Sequence, residues 1–278
     1  MRIFRPAACL LASLTCQLAL AAGEDSSFPY LDVSGEVNNT VASAYFTRGR
    51  CTTLRPNLQS EASVYFDTRR FGYAFIGIWT FSDLSDRYVS DRYMMMNETD
   101  PYAGAGYDWK FLDGWSLRSN LFYEWNLIYG SHKGVRYCHE LFWSEQLRTP
   151  WLTCYTLVRN MRMPYMDWSL RVGFKRGFAL SDSFILTPEL FFDGGRQCWN
   201  RRRFGGYDPR ADDFHTGPNS MTGRLRVNYA LNENFDFYAG VSEYCALGNA
   251  VRDNLRAKPA ETAVLDLFFV DVGLKCRF

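Results

Sequence analysis

The 278-residue sequence lacks features that define several common classes of protein. Beyond its first 21 residues it has no run of about 18 apolar residues, which excludes transmembrane helices. Its 31 basic and 30 acidic residues nearly cancel, so nothing favours nucleic acid as a partner. It has three histidines and no Cys-x-x-Cys or Cys/His spacing that would predict a metal site. We therefore expect no metal and no other cofactor.

The first 21 residues have the features of a cleaved secretory signal peptide. Arg2 and Arg5 form a positively charged start, a mostly apolar stretch follows, and small residues at 19 and 21 flank a cleavage site. The apolar stretch of about fourteen residues is too short for a spanning helix, which needs roughly 20. The predicted organisation is a signal peptide over 1–21 and one mature domain over 22–278.

Aromatic residues are abundant in a chain that is not hydrophobic overall. The sequence has 22 Phe, 17 Tyr and 8 Trp, together 17% of all residues, while its mean hydropathy is −0.26. A transmembrane β-barrel has this composition because half of each strand faces lipid and half faces a polar lumen. Its Trp and Tyr residues concentrate at the membrane interfaces.

Apolar and polar residues alternate with a period of two, which predicts β-strands. Over 115–126, for example, Leu121 and Tyr123 alternate with Asn120 and Glu124. Strands that cross a bilayer at a tilt need roughly 9–11 residues, and the runs have suitable lengths. Twelve such runs lie near residues 33–47, 57–67, 72–82, 101–111, 115–127, 137–147, 151–159, 166–178, 183–193, 220–230, 234–245 and 264–278.

The connections between these runs alternate between short and long. Leu112–Gly114 and Leu231–Asn234 are short, whereas Asp193–Asn219 and Leu247–Ala263 are long. Barrels of the bacterial outer membrane have short periplasmic turns and longer external loops. The sequence therefore predicts an all-β fold, a closed antiparallel transmembrane β-barrel of about 12 strands. We expect an integral outer-membrane protein with both termini in the periplasm.

The last strand ends in a short motif. Asp271-Val-Gly-Leu-Lys-Cys-Arg-Phe278 resembles the C-terminal signal of bacterial outer-membrane proteins, which is polar-x-Gly-x-x-apolar-x-aromatic. Asp271, Gly273, Cys276 and Phe278 occupy the defining positions, although Cys276 fits its apolar position weakly. The resemblance implies recognition by the barrel-assembly machinery during biogenesis.

A second resemblance covers roughly 40 residues near the N-terminus. Residues 45–49 (YFTRG), Leu58-Gln59, 77–79 (GIW) and Asp83 resemble, in the same order, the opening hairpins of TorF-type porins. The resemblance implies a small monomeric barrel with a porin-like role and brings no catalytic residues. The cysteine content and the long 193–219 connection depart from that pattern.

The polar faces of the predicted strands supply candidate lumen residues of both charges. A channel lining of this kind would select solutes by charge and size, and we expect an outer-membrane porin-like channel for passive diffusion of small polar solutes. The alternative is an interior filled by salt bridges, because twelve strands lie between packed eight-stranded and open 16–18-stranded barrels. The candidates are Glu61, Arg118, Glu124, Glu140, Arg171, Lys175, Glu189, Arg224, Arg226, Asp271 and Lys275.

Four of these candidates are basic residues on strands predicted to be neighbours. Arg171, Lys175, Arg224 and Arg226 could form a basic ladder that favours anions, while the acidic candidates could equally neutralise it. Besides small polar solutes, the expected partners are outer-membrane lipid and lipopolysaccharide.

The rival functions are a barrel enzyme and a structural or adhesive barrel without transport. Barrel phospholipases carry a His-x-Ser-Asn-Gly motif, which this chain lacks. His139 and Ser144 are five residues apart on one strand, so their side chains should face opposite sides and cannot share a proton. We therefore expect no enzymatic activity.

The predicted loops contain features with open interpretations. Arg201, Arg202 and Arg203 could narrow the pore or bind lipopolysaccharide phosphates, although charge runs are usually solvated. Met94-Met95-Met96 could pack apolar solutes or pack within its own loop. Six cysteines in the mature chain allow 15 pairings, and Cys51 and Cys198, in predicted loops, are the better disulfide candidates.

Overall fold

The computed structural model describes residues 31–47, 49–68, 70–84, 98–131, 134–161, 167–201, 204, 214–256 and 264–278. The predicted signal peptide and the Met94–Met96 run lie outside these residues. The described residues include two helices, α1 (Gln197–Asn200) and α2 (Asn249–Arg256). The strands are β1 (Asp32–Ala42), β2 (Tyr45–Thr47), β3 (Arg50–Thr53), β4 (Asn57–Asp67), β5 (Tyr73–Asp83), β6 (Glu98–Leu112), β7 (Trp115–Ser131), β8 (Gly134–Arg148), β9 (Thr153–Met161), β10 (Asp167–Lys175), β11 (Phe178–Ala179), β12 (Phe184–Gly195), β13 (Gly217–Ala230), β14 (Phe235–Ala246) and β15 (Asp266–Arg277).

Thirteen strands form one antiparallel sheet that closes on itself. Sequential neighbours pair from β4 to β10, β1 joins β4 to β15, and β15 leads back through β14 and β13 to β12. Pairing of β10 with β12 completes the ring. Because β11 has only two residues and pairs beside β12, twelve strands make up the wall. The prediction of a closed antiparallel twelve-stranded β-barrel is confirmed.

The predicted strand runs are confirmed with one correction. The run over 33–47 was expected to be one strand, but β1 ends at Ala42 and β2 and β3 form a separate hairpin. Gly49 adopts a φ of 76° in its turn, a conformation that favours glycine. The aromatic residues of β2 pack over the barrel interior, and β2 is not part of the barrel wall.

The two ends of the barrel have different connections. The end at which β1 begins and β15 ends, named here the turn end, has the short connections between β4 and β5, β6 and β7, β8 and β9, β10 and β12, and β13 and β14. The opposite end, named the loop end, has the hairpin, both helices and the longer connections. The turns are locally stabilised: the Thr68 hydroxyl donates to the Gly72 carbonyl, and the Asn232 side chain accepts from the Phe235 amide. Among the described residues, no helix is long and apolar enough to cross a bilayer.

The outer face of the wall is apolar. Many large hydrophobic side chains point outward and are exposed, including Ile76 (54%), Leu121 (54%), Trp143 (54%), Val270 (54%) and Phe268 (68%). A continuous exposed surface of this kind is uncommon in soluble monomers and is typical of a wall in contact with lipid. The alternation that predicted the strands therefore separates a lipid-compatible exterior from a polar interior.

Phe278 closes the ring between the first and last strands. Its amide donates to the Gly35 carbonyl, and its carbonyl accepts from the Gly35 amide. A Cβ atom at Gly35 would overlap the Phe278 ring. The terminal aromatic residue therefore covers a glycine on β1 at the seam.

Candidate functional site

The barrel interior contains a cavity of about 750 Å³. A smaller cavity of about 170 Å³ lies beside it, and Arg171 and Arg224 border both. Inward-pointing side chains of β4 to β9 contribute most of the larger lining, and those of β1 and β12 to β15 contribute most of the smaller one.

Aromatic rings dominate one half of the lumen wall, which consists of β4 to β9 and is named the aromatic half. The rings of Phe122 and Phe142 stack with centroids 4.5 Å apart, and Phe75 lies 6.0 Å from Phe122. Trp79 stacks on Phe81 at 6.3 Å. Aromatic pairs in these geometries stabilise a protein by more than the burial of their surface alone. This half therefore has a packed inner surface. The inward aromatic residues are Tyr65, Tyr73, Phe75, Trp79, Tyr102, Phe122 and Phe142.

Ion pairs dominate the other half, which consists of β1, β10 and β12 to β15 and is named the arginine half. Arg171 binds both carboxylate oxygens of Asp193, at 2.9 and 3.0 Å. Arg226 binds Asp271 at 3.0 Å and lies over the Tyr238 ring at 4.4 Å. The remaining pairs are Arg224–Glu189 at 3.5 Å, Lys275–Glu36 at 2.5 Å and Arg277–Asp236.

The ion pairs reduce the net positive charge of the predicted basic ladder. Arg171, Arg224 and Arg226 each have one carboxylate partner, so the acidic residues neutralise the arginines one to one. Lys175 lies over the Tyr155 ring at 5.7 Å and is not in an ion pair within the part of the chain that the structure describes.

A repeated contact joins three strands at four places in the barrel, and we name it the tyrosine staple. In each staple a tyrosine ring lies across a glycine of the neighbouring strand, and its hydroxyl binds a side chain one strand further on. The rings occupy space that a Cβ atom would fill, which is why glycine is required there. The staples are Tyr102–Gly77–Glu61, Tyr73–Gly106–Asn120, Tyr155–Gly173–Glu189 and Tyr238–Gly273–Asn38.

The first loop folds inward at the loop end. Tyr45 stacks on Phe81 at 4.8 Å, while the next residue, Phe46, lies 4.4 Å from Tyr244 on the opposite side of the hairpin. The Tyr244 hydroxyl donates to the Gly49 carbonyl at 2.7 Å. Both β2 aromatic residues border the two cavities, so the hairpin forms part of the lumen boundary.

A small hydrophobic core covers the hairpin. Its buried members, named here the cap, come from the hairpin, α2, the ends of β14 and β15, and the long connection before β13: Ala44, Cys51, Phe204, Phe214, Tyr244, Ala246, Val251, Leu255, Val264 and Phe269. Arg252 of α2 binds Asp266 at 3.2 Å on its outer side. The loop end is therefore packed.

The structure disperses the predicted lumen residues among four environments. Glu61, Arg118, Glu124, Arg171 and Arg224 border the larger cavity, and Arg226 and Asp271 border the smaller one. Lys175, Glu189 and Lys275 make the ion-pair and ring contacts described above. Glu140 faces inward but is fully buried (0% exposed) and borders neither cavity. It lies opposite Glu124 in the β7–β8 register.

Sequence reasoning missed the aromatic residues of the lumen. Phe122 shares the alternation phase of Asn120 and Glu124, and Phe142 lies opposite it in register. That phase is the available signal, but the composition predicts Trp and Tyr mainly at the membrane interfaces and polar residues on the inner face. The inward hairpin had no comparable signal in the sequence.

Cysteines and histidines show no catalytic or cross-linked arrangement in the described residues. His139 stacks on Tyr123 on the outer face, whereas Ser144 accepts from Asn120 inside, so the predicted opposite orientation is confirmed. All six cysteines are free, including Cys51 and Cys198. Cys51 lies within the cap, where burial raises the pKa of its thiol to about 12. Cys198 is exposed on α1.

Comparisons with known proteins identify similar backbones but no related sequences. No protein-family model and no curated protein matches this chain. The KdgM porin in complex with disordered oligogalacturonate is similar with a TM-score of 0.46 and 10% identity, over 88% of this chain and 99% of that one. The NanC porin has a TM-score of 0.45 and 11% identity, over 87% and 98%. Outer membrane phospholipase A from Escherichia coli has a TM-score of 0.45 and 13% identity, over 87% and 92%.

Proposed function

We propose that the protein is an outer-membrane, porin-like channel for passive diffusion of small polar solutes. The observation that carries this proposal is the cavity of about 750 Å³, lined by charged, polar and aromatic side chains, inside a closed barrel with an apolar exterior. An interior of this polarity holds water and solutes, and the apolar exterior requires a bilayer. Outer-membrane lipid and lipopolysaccharide are the proposed surroundings, with both termini in the periplasm.

A liposome-swelling assay tests the proposed function. Vesicles that contain the purified barrel should swell in isotonic solutions of small sugars and amino acids, and more slowly as solute size increases. Protein-free vesicles and vesicles with heat-unfolded protein are the controls. Swelling rates equal to those of protein-free vesicles for every solute would contradict a diffusion channel.

The N-terminal resemblance to TorF-type porins supports the same proposal at a finer level. Gly77 and Trp79 of that motif lie on the inner face of β5, and Tyr45 belongs to the inward hairpin. The motif therefore falls on residues that shape the lumen. We propose a monomeric barrel on this basis, which size-exclusion chromatography with light scattering in detergent would test.

The C-terminal motif supports recognition by the barrel-assembly machinery. Phe278 and Cys276 follow the outward phase of β15, and Gly273 lies inside below Tyr238. Replacing Phe278→Ser should lower the amount of folded barrel in the outer membrane and leave unassembled protein in the periplasm. Wild-type amounts of heat-modifiable barrel in that variant would contradict the proposed signal.

A barrel without transport is the second candidate, and the cap favours it. The cap packs apolar side chains over the loop end, which would restrict a path through the lumen. Catalysis has no such support, because His139 and Ser144 lie on opposite faces. A purified barrel that folds normally but passes no solute would support the structural candidate.

A further inference from the structure

We propose that the aromatic half contains a binding subsite for organic ammonium groups, centred on the Glu61 carboxylate. The inference deepens the proposed function, on which it rests, by naming a class of solute that the lumen would favour. Glu61 lies on β4, borders the larger cavity, and is surrounded in register by Asn38 on β1 and Trp79 on β5.

Glu61 differs from the lumen carboxylates of the arginine half in its partners. Its hydrogen bond comes from the neutral Tyr102 hydroxyl at 2.7 Å. No described cation forms an ion pair with it, and Lys275, which lies near it, is bound to Glu36 at 2.5 Å. The Tyr102 bond brings no positive charge to Glu61 and holds the side chain in place. A soluble cation can therefore bind there without breaking an existing ion pair.

Aromatic faces surround the same carboxylate. Trp79 lies directly opposite Glu61 in the β4–β5 register, and Tyr45 packs against Trp79 at 5.7 Å. Tyr65 follows Glu61 by four residues on the same face of β4. Cations bound against Trp and Tyr faces are stabilised by the ring quadrupole, and aromatic cages with a carboxylate recognise organic ammonium groups. The adjoining rings of Phe75 and Phe122 supply an apolar surface for the rest of such a solute.

The arginine half contains the matching arrangement with the charge neutralised. Tyr155 donates to Glu189 at 2.7 Å in the same type of staple, but Arg224 binds the other carboxylate oxygen. A cation that approached Glu189 would compete with this arginine. The comparison assigns the subsite to Glu61 rather than to Glu189.

Calorimetric titration of the folded barrel in detergent tests the subsite without requiring passage through the lumen. The probe is 2-phenylethylammonium chloride, and 2-phenylethanol is its neutral counterpart. The wild-type barrel should bind the ammonium probe measurably and the alcohol at least about tenfold more weakly. Glu61→Gln should weaken binding of the ammonium probe by about tenfold, and Trp79→Leu by about threefold.

Control variants separate the subsite from a general effect of charge. Glu61→Asp should bind the probe better than Glu61→Gln, because it retains the carboxylate. Glu145→Gln removes one negative charge from the outer face, where Glu145 accepts from Trp143 and Ser119, and should bind within about twofold of wild type. Heat-modifiable migration on gels should show that each variant is folded.

The outcomes for the subsite and for the channel are distinguishable. An unchanged dissociation constant in Glu61→Gln, equal binding of the alcohol, or no binding by the wild-type barrel would overturn the subsite. Failure of the swelling assay with intact binding would overturn the channel and leave the subsite standing. Swelling without probe binding would overturn the subsite and leave the channel standing.

Discussion

The two halves of the lumen wall stabilise the same fold by different means. The aromatic half packs rings against one another and against glycines, and its Arg118–Asp108 pair is exposed, with 38% of each side chain accessible. The arginine half pairs each of its lumen arginines with a carboxylate, and the Asp193 side chain of its Arg171 pair is only 10% exposed. Six strands belong to each half, so the difference lies in the side chains rather than in the backbone.

This difference determines which charged side chains of the lumen wall are available to bind a solute. Ion pairs in the arginine half neutralise its arginines, which reduces its attraction for anions. Glu61 in the aromatic half has a phenol as its partner and borders the larger cavity. A wall whose charges look evenly mixed in sequence is therefore uneven in three dimensions, and the three pairs of variants below test this contrast.

The largest effect is expected from breaking the buried ion pair. Asp193→Asn leaves Arg171 without its bidentate partner and should lower the free energy of unfolding by about 3 kcal/mol. Asp108→Asn breaks the exposed pair in the aromatic half and should cost no more than about 1 kcal/mol. Urea unfolding in lipid vesicles, followed by tryptophan fluorescence, measures both. Equal losses would show that the two halves do not differ in this way.

A smaller effect is expected from filling a staple glycine. A Cβ atom at Gly77 would overlap the Tyr102 ring, so Gly77→Ala should move the ring and lower stability by about 1–3 kcal/mol. Gly223 has no atom within 4 Å of the corresponding position, and Gly223→Ala is the matched control with a cost below about 0.5 kcal/mol. The same unfolding assay applies. Equal losses of stability in Gly77→Ala and Gly223→Ala would show that contact with a tyrosine ring is not the reason for glycine at the staple positions.

The smallest effect is expected from removing a staple hydroxyl. Tyr102→Phe removes the hydrogen bond to Glu61 and should lower stability by about 1 kcal/mol. Tyr155→Phe should cost less, because Glu189 keeps its contact with Arg224. A larger loss for Tyr155→Phe in paired unfolding curves would reverse the proposed roles of the two carboxylates.

Most of the barrel wall could be predicted from the sequence because period-two alternation is a local property of each strand. The twelve runs, the sorting of short and long connections and the inward phase of residues such as Arg118 and Arg171 are all properties of this kind. Beyond this local alternation, the wall requires only that the ring of strands closes, and the pairing of β10 with β12 completes it.

The staples, the hairpin and the cap could not be predicted because they depend on contacts between distant residues. Tyr238 binds Asn38 across 200 positions of sequence, and Tyr244 binds the Gly49 carbonyl across 195. The hairpin alternates like an ordinary strand, so its inward fold is visible only once its neighbours are placed. Whether the basic ladder was neutralised likewise depended on which carboxylate each arginine reaches.

Single-channel recording in planar bilayers tests the central claim, a solute path through the barrel, most directly. We expect discrete conductance steps when the purified, folded protein is added to a bilayer in potassium chloride. Heat-unfolded protein from the same preparation should give none. A folded barrel that inserts into the bilayer but produces no steps at any voltage would contradict the proposed channel.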